Sequence, residues 1–262
     1  MEDRYLKWKG EIPMITDCYD IQTKPALTLQ DFYGDKRDLI EHCLVIFSPE
    51  IRDHLLSNFP CEKIGELKAC TGNIPIYKLN YKGRDIAFYL TYIGSALASS
   101  LCIEANWNVG ATKFIMCGSC GCLDYEKTKG KYIIPTESYR GEGASYYYAP
   151  PGDYITVKNS QKVAEIFQKL GIPYVLGRVW TTDSVVRETV GLVAKRKTEG
   201  CLAVEMEIAG VQAACDFYGF ELYDFLEGGD VLGEDNYDIA EIHQANHDHA
   251  KTHLAMEIAL RV

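Results

Sequence analysis

The sequence predicts an α/β fold, with a mixed, largely parallel central sheet flanked by helices. Three observations point there. Short β-rich runs alternate with amphipathic windows along the chain. Helix start and stop signals such as Ser48-Pro49 and Gly110 separate them. A hydrophobic content of 47% in 262 residues suffices to bury a substantial core.

The elements follow in order. CLVIF (43–47) reads as a buried strand, and SPEIRDHLLSNF follows as a helix with Ser48 as N-cap and Pro49 at the first helical position. RDIAFYLTYIG (84–94) is a second strand, SALASSLCIEANWNV a packed helix closed by Gly110, and TKFIMCG (112–118) the strand that completes a β-α-β unit. KYIIP (131–135) and YVLGRVW (174–180) add strands, with the helix NSQKVAEIFQKLG before the latter. CLAVE (201–205) leads into a helix on which Ile208, Val211, Ala214 or Cys215, and Tyr218 recur at helical spacing. FELYDFL (220–226) is the last strand, and a long helix ends in LAMEIALRV. No linker, low-complexity tract or internal repeat divides residues 1–262, which read as one domain.

Charge narrows the function. A formal net charge of −10 argues against a phosphate-backbone binder, because nucleic-acid affinity comes largely from a basic surface. A small substrate or a protein partner fits better. MEDRYLKWKGEIPM lacks the apolar core and cleavage site of a signal peptide, and no stretch approaches the roughly 20 apolar residues that cross a bilayer. A soluble, cytoplasmic protein without a membrane partner is expected. The ten cysteines, scattered among apolar runs, read as reduced core residues.

Chemistry concentrates where CLAVEMEIAG ends its apolar run on Glu205 and Glu207, with Met206 between them. A strand-to-helix junction lies at the carboxyl edge of the sheet, where ligands of such folds collect. Two residues apart on extended chain, the carboxylates project to one side and can accept hydrogen bonds from ligand hydroxyls. The plainer alternative is that one caps the next helix and the other is solvated. Spacing alone does not decide. Asp230 in GGD has a similar alternative, the closing of a glycine turn. Cys117, Cys120 and Cys122 lack a second pair at zinc-site spacing. His243 and His247, like His249 and His253, are four apart on the expected C-terminal helix, and His243 or His247 can edge into a pocket. With no carboxylate pattern to complete a site, no metal is expected.

AVEMEIAG resembles the ribose-binding motif of the nucleoside phosphorylase and nucleosidase superfamily. The likeness continues through TYIGSALASSLCIEANWNVGATKFIMCGSCGCLD (91–124), similar to that family's strand, helix and second strand ending in a Gly-Ser/Thr-x-Gly turn. It also includes the base-pocket segment VWTTDSVVRET (179–189) and FLEGGDVLGED (225–235), where purine-cleaving members carry a catalytic Asp. Collinear similarity covers roughly residues 40–260. The resemblance implies a nucleoside phosphorylase-like fold and cleavage of the N-glycosidic bond of a ribonucleoside. Glu207 would then accept from the ribose 2′- and 3′-hydroxyls, Met206 would pack on the sugar, and Glu205 would support them. Asp230 would protonate a purine N7, which needs a carboxyl with a raised pKa or a shared proton. Ser119, the Gly118 backbone and Arg52 would hold phosphate or another anion. Val185, Arg187 and Gly121 would border the base, while Trp180 belongs to the core.

Departures leave the nucleophile open. Met116 stands where the family carries a phosphate-binding arginine, and Arg52 is displaced by one position in FSPEIR. An arginine from a neighbouring subunit is replaced by TGNIP (71–75), and the family's N-terminal histidine has no counterpart around CYDIQTKP. Three readings stand: phosphorolysis, with inorganic phosphate as co-substrate and no cofactor; hydrolysis by water activated at Glu50 or Asp53; and nucleoside binding without turnover. The first is favoured because phosphorylases are the larger part of the group that the sequence resembles and because Ser119 and Arg52 can still grip an anion. Asp230 tilts the base towards a purine over uridine, since a pyrimidine has no N7. The resemblance further implies a homodimer or hexamer with shared sites, and makes residues 1–40 an N-terminal extension.

Overall fold

A computed structural model of the chain describes residues 15–69, 72–233 and 237–262. Expectations placed on residues 1–14, on Thr71 of TGNIP and on Glu234 and Asp235 of FLEGGDVLGED lie outside the described residues.

A 3₁₀ turn (Ile15–Cys18) and the short helix α1 (Leu29–Tyr33) precede β1 (His42–Ile46), which is buried throughout. Its side chains divide by the two-residue period of a strand: Cys43 and Val45 enter one apolar cluster, Leu44 and Ile46 the other. A strand covered on both faces needs this unbroken apolar run. Helix α2 (Pro49–Asn58) starts as expected, with Ser48 Oγ accepting from Ile51 N at 3.3 Å and Pro49 in the first turn. Next come β2 (Cys61–Leu67), β3 (Ile74–Tyr81) and β4 (Arg84–Leu90), paired antiparallel in sequence. Helix α3 (Ser95–Val109) ends at left-handed Gly110 and leads to β5 (Lys113–Cys122). β1 lies between β4 and β5, parallel to both.

The second half holds α4 (Tyr125–Thr128), β6 (Tyr132–Gly141), β7 (Tyr154–Thr156), α5 (Ser160–Leu170) and β8 (Tyr174–Thr182). After them run α6 (Val190–Thr198), β9 (Cys201–Glu205), α7 (Ile208–Tyr218), β10 (Glu221–Leu232) and β11 (Tyr237–Asp238). The chain closes with α8 (Ile242–His247) and α9 (His249–Ala259). Parallel pairs join β5 to β10, β6 to β8 and β8 to β9, while β9 meets β5 and β10 meets β6 antiparallel. These pairings close a ring of five strands, β5-β9-β8-β6-β10. The ring curls the last residues of β5, β9 and β10 around one space. One apolar cluster packs α3 and α7 on the sheet, and the other packs α2, α5 and α9.

Several elements differ from expectation. The β2–β3 pair gives a weak sequence signal because CEKIGEL puts charge on a half-exposed strand. GSCG is not a turn: β5 runs on to Cys122, with Gly118 opposite Leu226 and Ser119 opposite Glu227. β10 likewise continues through Gly228 and Gly229 with a bulge before Asp230, so Asp230 closes no glycine turn. The C-terminal helix breaks at Asp248, whose Oδ1 accepts from Ala250 N at 2.9 Å and starts α9. On α7, Ile208, Val211, Ala214 and Cys215 are buried, but Tyr218 is 45% exposed. The nine described cysteines are free thiols, and all but Cys18 and Cys61 are buried. Among the described residues no helix is long and apolar enough to cross a membrane.

Candidate active site

β9 ends on Glu205, and the chain turns through Met206 and Glu207 into α7 instead of staying extended; Glu207 adopts φ −129° and ψ −38°. The Glu205 carboxylate spans this turn. Its Oε2 accepts from Glu207 N at 2.6 Å and Ile208 N at 2.7 Å, and its Oε1 accepts from the Thr181 hydroxyl. Thr181 Oγ1 in turn accepts from Ala209 N at 3.0 Å and lies 2.6 Å from Ser138 Oγ. Glu205 therefore satisfies the open N–H groups of α7, the capping role of the plainer reading.

Glu207 is not the solvated partner that reading requires. It is 9% exposed, and its Oε1 accepts from Gly94 N at 2.7 Å. Gly94 has φ +104°, a conformation that side chains resist, and this turn aims its N–H at the carboxylate. Ser95 Oγ donates to the Met206 and Glu207 carbonyls at 3.0 and 3.2 Å, tying α3 to the same turn. Burial raises both carboxyls above the ordinary glutamate range, and repulsion from Glu207 raises Glu205 further; the backbone N–H groups oppose the shift.

These residues border a cavity of about 310 Å³. β5 contributes Gly118, Ser119 and Gly121; the β9–α7 turn contributes Glu205, Met206 and Glu207. Asp230 and Val185 join from the far side, so Asp230 and Glu207 face one space. The Ser119 hydroxyl donates to Asn246 Oδ1, and both residues line the cavity. Gly121 allows β5 and β10 to meet: a Cβ there would lie 2.4 Å from Leu232 Cδ1 and 3.2 Å from Asp230 Oδ2. Burial raises the Asp230 carboxyl, against a hydrogen bond from Tyr237. Glu188, also lining the cavity, is pushed up to about 7 by burial and then by the Asp230 charge.

The sequence-predicted cations stand elsewhere. The Arg52 guanidinium pairs with Asp53 Oδ1 at 2.8 Å, and Arg52 is not among the cavity-lining residues. Arg187 is exposed on a 3₁₀ turn (Val185–Arg187) and does not line the cavity either. Glu50 and Asp53 have exposed side chains outside the lining. Met116 is buried in the core beside Val45, and Trp180 is likewise buried. Among the described lining residues the basic groups are Lys251 and His247. Lys251 is buried, donates to the Ala245 carbonyl and lies 3.6 Å from Glu227 Oε2. Sequence reasoning missed Lys251, Asn246 and Glu188: the first two sit in a polar stretch, ANHDHAK, that looks like any solvated helix start. The Thr181 contact was within reach, since VWTTD was singled out without assigning its hydroxyls.

The model of the Phosphorylase superfamily matches residues 41–256. A guanosine phosphorylase of Halorubrum lacusprofundi is 27% identical over 151 residues, which is 56% of this chain and 62% of that protein. A DeoD-type purine nucleoside phosphorylase of Alkaliphilus metalliredigens is 26% identical over 188 residues, 70% of this chain and 77% of its own. Another of that type, from Colwellia psychrerythraea, is 27% identical over 175 residues, 64% and 71% of the two chains.

Proposed function

The chain belongs to the Phosphorylase superfamily, and from that premise we propose that it cleaves the N-glycosidic bond of a purine nucleoside, with inorganic phosphate as co-substrate and no organic cofactor. The observation that carries this reading is the pairing of two differently held carboxyls in one cavity. Glu207 is fixed by Gly94 N–H, and Asp230 stands across from it with its proton affinity raised by burial.

Each carboxyl suits one demand of the reaction. Glu207 accepts the ribose 2′- and 3′-hydroxyls, Met206 lies against the sugar, and Glu205 keeps the turn in place through its three donors. As the bond breaks, positive charge grows on the sugar, and negative groups beside it lower the barrier because they interact more strongly then than before. The departing base gains electron density, which a proton from Asp230 to N7 relieves. Phosphate enters from the end of the cavity formed by Ser119, the Gly118 backbone and Asn246, with Val185 and Gly121 towards the base. Purines are favoured in the similar proteins' names, and N7 protonation gives Asp230 a task that uracil does not offer. The same reading treats residues 1–262 as one domain with 1–40 as an extension, working as a homodimer or hexamer.

Incubating the full chain with inosine, guanosine, adenosine and uridine, with and without phosphate, tests this. Base and ribose 1-phosphate should form only with phosphate, and faster from purines. Equal release without phosphate would make the protein a hydrolase, and no release would make it a nucleoside binder.

A further inference from the structure

Three metal-capable side chains with no part in the reaction above meet beside the cavity. His243 and His247 stand one turn apart on α8, with ring centroids 4.7 Å apart. Glu50, in the first turn of α2, places Oε2 3.9 Å from His247 Nδ1. The carboxylate that the histidine spacing lacked thus comes from a distant segment. One ligand atom from each of the three residues lies within 4.8 Å of the others. Metal–ligand bonds of about 2.0–2.2 Å keep donors on one ion no more than about 4.4 Å apart. Glu50 and His243 are both exposed, which leaves their side chains room to rotate towards that separation. The His247 ring is half-buried, and its Nδ1 lies 2.6 Å from Ser48 Oγ, the residue that also starts α2, so an ion taken at Nδ1 replaces that contact.

We propose that Glu50, His243 and His247 bind a divalent transition-metal ion of the Zn²⁺ type, leaving one coordination position for an oxygen of phosphate. Two imidazoles and one carboxylate are the donor set of open zinc sites, and imidazole favours Zn²⁺ and its neighbours over Mg²⁺ or Ca²⁺. His247 lines the cavity next to Asn246, the partner of Ser119. A dianion at that end needs positive charge, while Lys251 is engaged by Glu227 and Arg52 by Asp53. The phosphate role rests on the phosphorolysis reading; metal binding itself does not.

The test is titration of the chelator-treated full chain with Co²⁺, read by its visible d–d absorption. One equivalent should bind with intense tetrahedral-type bands, and added phosphate should shift them. Loss of an outer hydrogen bond alone weakens metal sites about 10–100-fold, so His243→Asn and Glu50→Gln should each weaken binding by about 100-fold or more. His253→Asn should leave it unchanged, because His253 belongs to a separate group with His54 and His249. Absence of binding, binding indifferent to His243→Asn and Glu50→Gln, or a thiolate-to-cobalt band placing the ion on Cys117, Cys120 or Cys122 would each overturn the site. Bands that phosphate leaves unmoved would overturn the phosphate position. These spectra need no turnover, so failure of nucleoside cleavage would leave the metal result intact.

Discussion

Glu205 and Glu207 are two residues apart, yet they are held by different partners, and on the function proposed above alanine at each should have a different effect. Glu205→Ala removes the acceptor for the Thr181 hydroxyl and for the N–H groups of Glu207 and Ile208. Hydrogen bonds to a charged acceptor contribute about 1.5–3 kcal/mol each, but the cost of burying this carboxylate, visible in its raised pKa, offsets part of that. Taking about 1 kcal/mol for each of the three donors gives about 3 kcal/mol. At about 2–4 °C per kcal/mol for a chain of this size, Tm should fall by about 6–12 °C. Glu207→Ala loses the bond from Gly94 N–H, worth about 1 kcal/mol, so Tm should fall by only about 2–4 °C while ribonucleoside turnover collapses. Thermal melts followed by circular dichroism, with steady-state kinetics on the same samples, read both effects. A Glu205→Ala melt within about 2 °C of the parent, or a larger drop for Glu207→Ala, would refute this division of labour.

Asp230→Asn should cut purine turnover by about 100-fold or more with little change in Tm, measured by base release from inosine. Ser119→Ala should raise the KM for phosphate while leaving the KM for nucleoside close to the parent value, checked by varying each at saturating levels of the other. Glu188 is raised to about 7 in the folded chain. Since an unfolded glutamate titrates near about 4.3, the folded state binds more protons between these values, and stability falls as pH rises from about 4.3 to about 7, then levels off. Glu205, Glu207 and Glu227, raised by burial as well, add slopes of the same sign, so Glu188→Gln should make the fall shallower and melt higher than the parent at alkaline pH, which Tm measured across pH will show. Gly121→Ala should lower kcat, because the added methyl must displace Leu232 and press on Asp230; stopped assays at saturating substrate will report it.

The parts of the fold legible in the sequence are those with one strong local cause. Ser48-Pro49, Gly110 and the unbroken apolar run of β1 each carry their own signal, and each element lies where that signal puts it. What was hidden depends on pairing across the ring. Nothing local in GSCG distinguishes a turn from a strand, and it becomes strand because β10 runs parallel beside it. Likewise the two glycines before Asp230 look like a turn, but the bulge they form belongs to a sheet. The Glu205–Met206–Glu207 run was visible as a place for carboxylates. The reason they differ was not, since it lies in Thr181 and Gly94, 24 and 113 residues away in sequence. Cations were read least well: Arg52 has Asp53 as its immediate neighbour, whereas Lys251 enters the cavity because α9 packs against β5 and β1.

The most direct measurement is a crystal structure of the full chain with ribose 1-phosphate. The sugar hydroxyls should lie within hydrogen-bond distance of Glu207, with the phosphate beside Ser119 and Asp230 left facing the place of the base. A ribose bound away from Glu207, or a phosphate far from Ser119, would contradict the account.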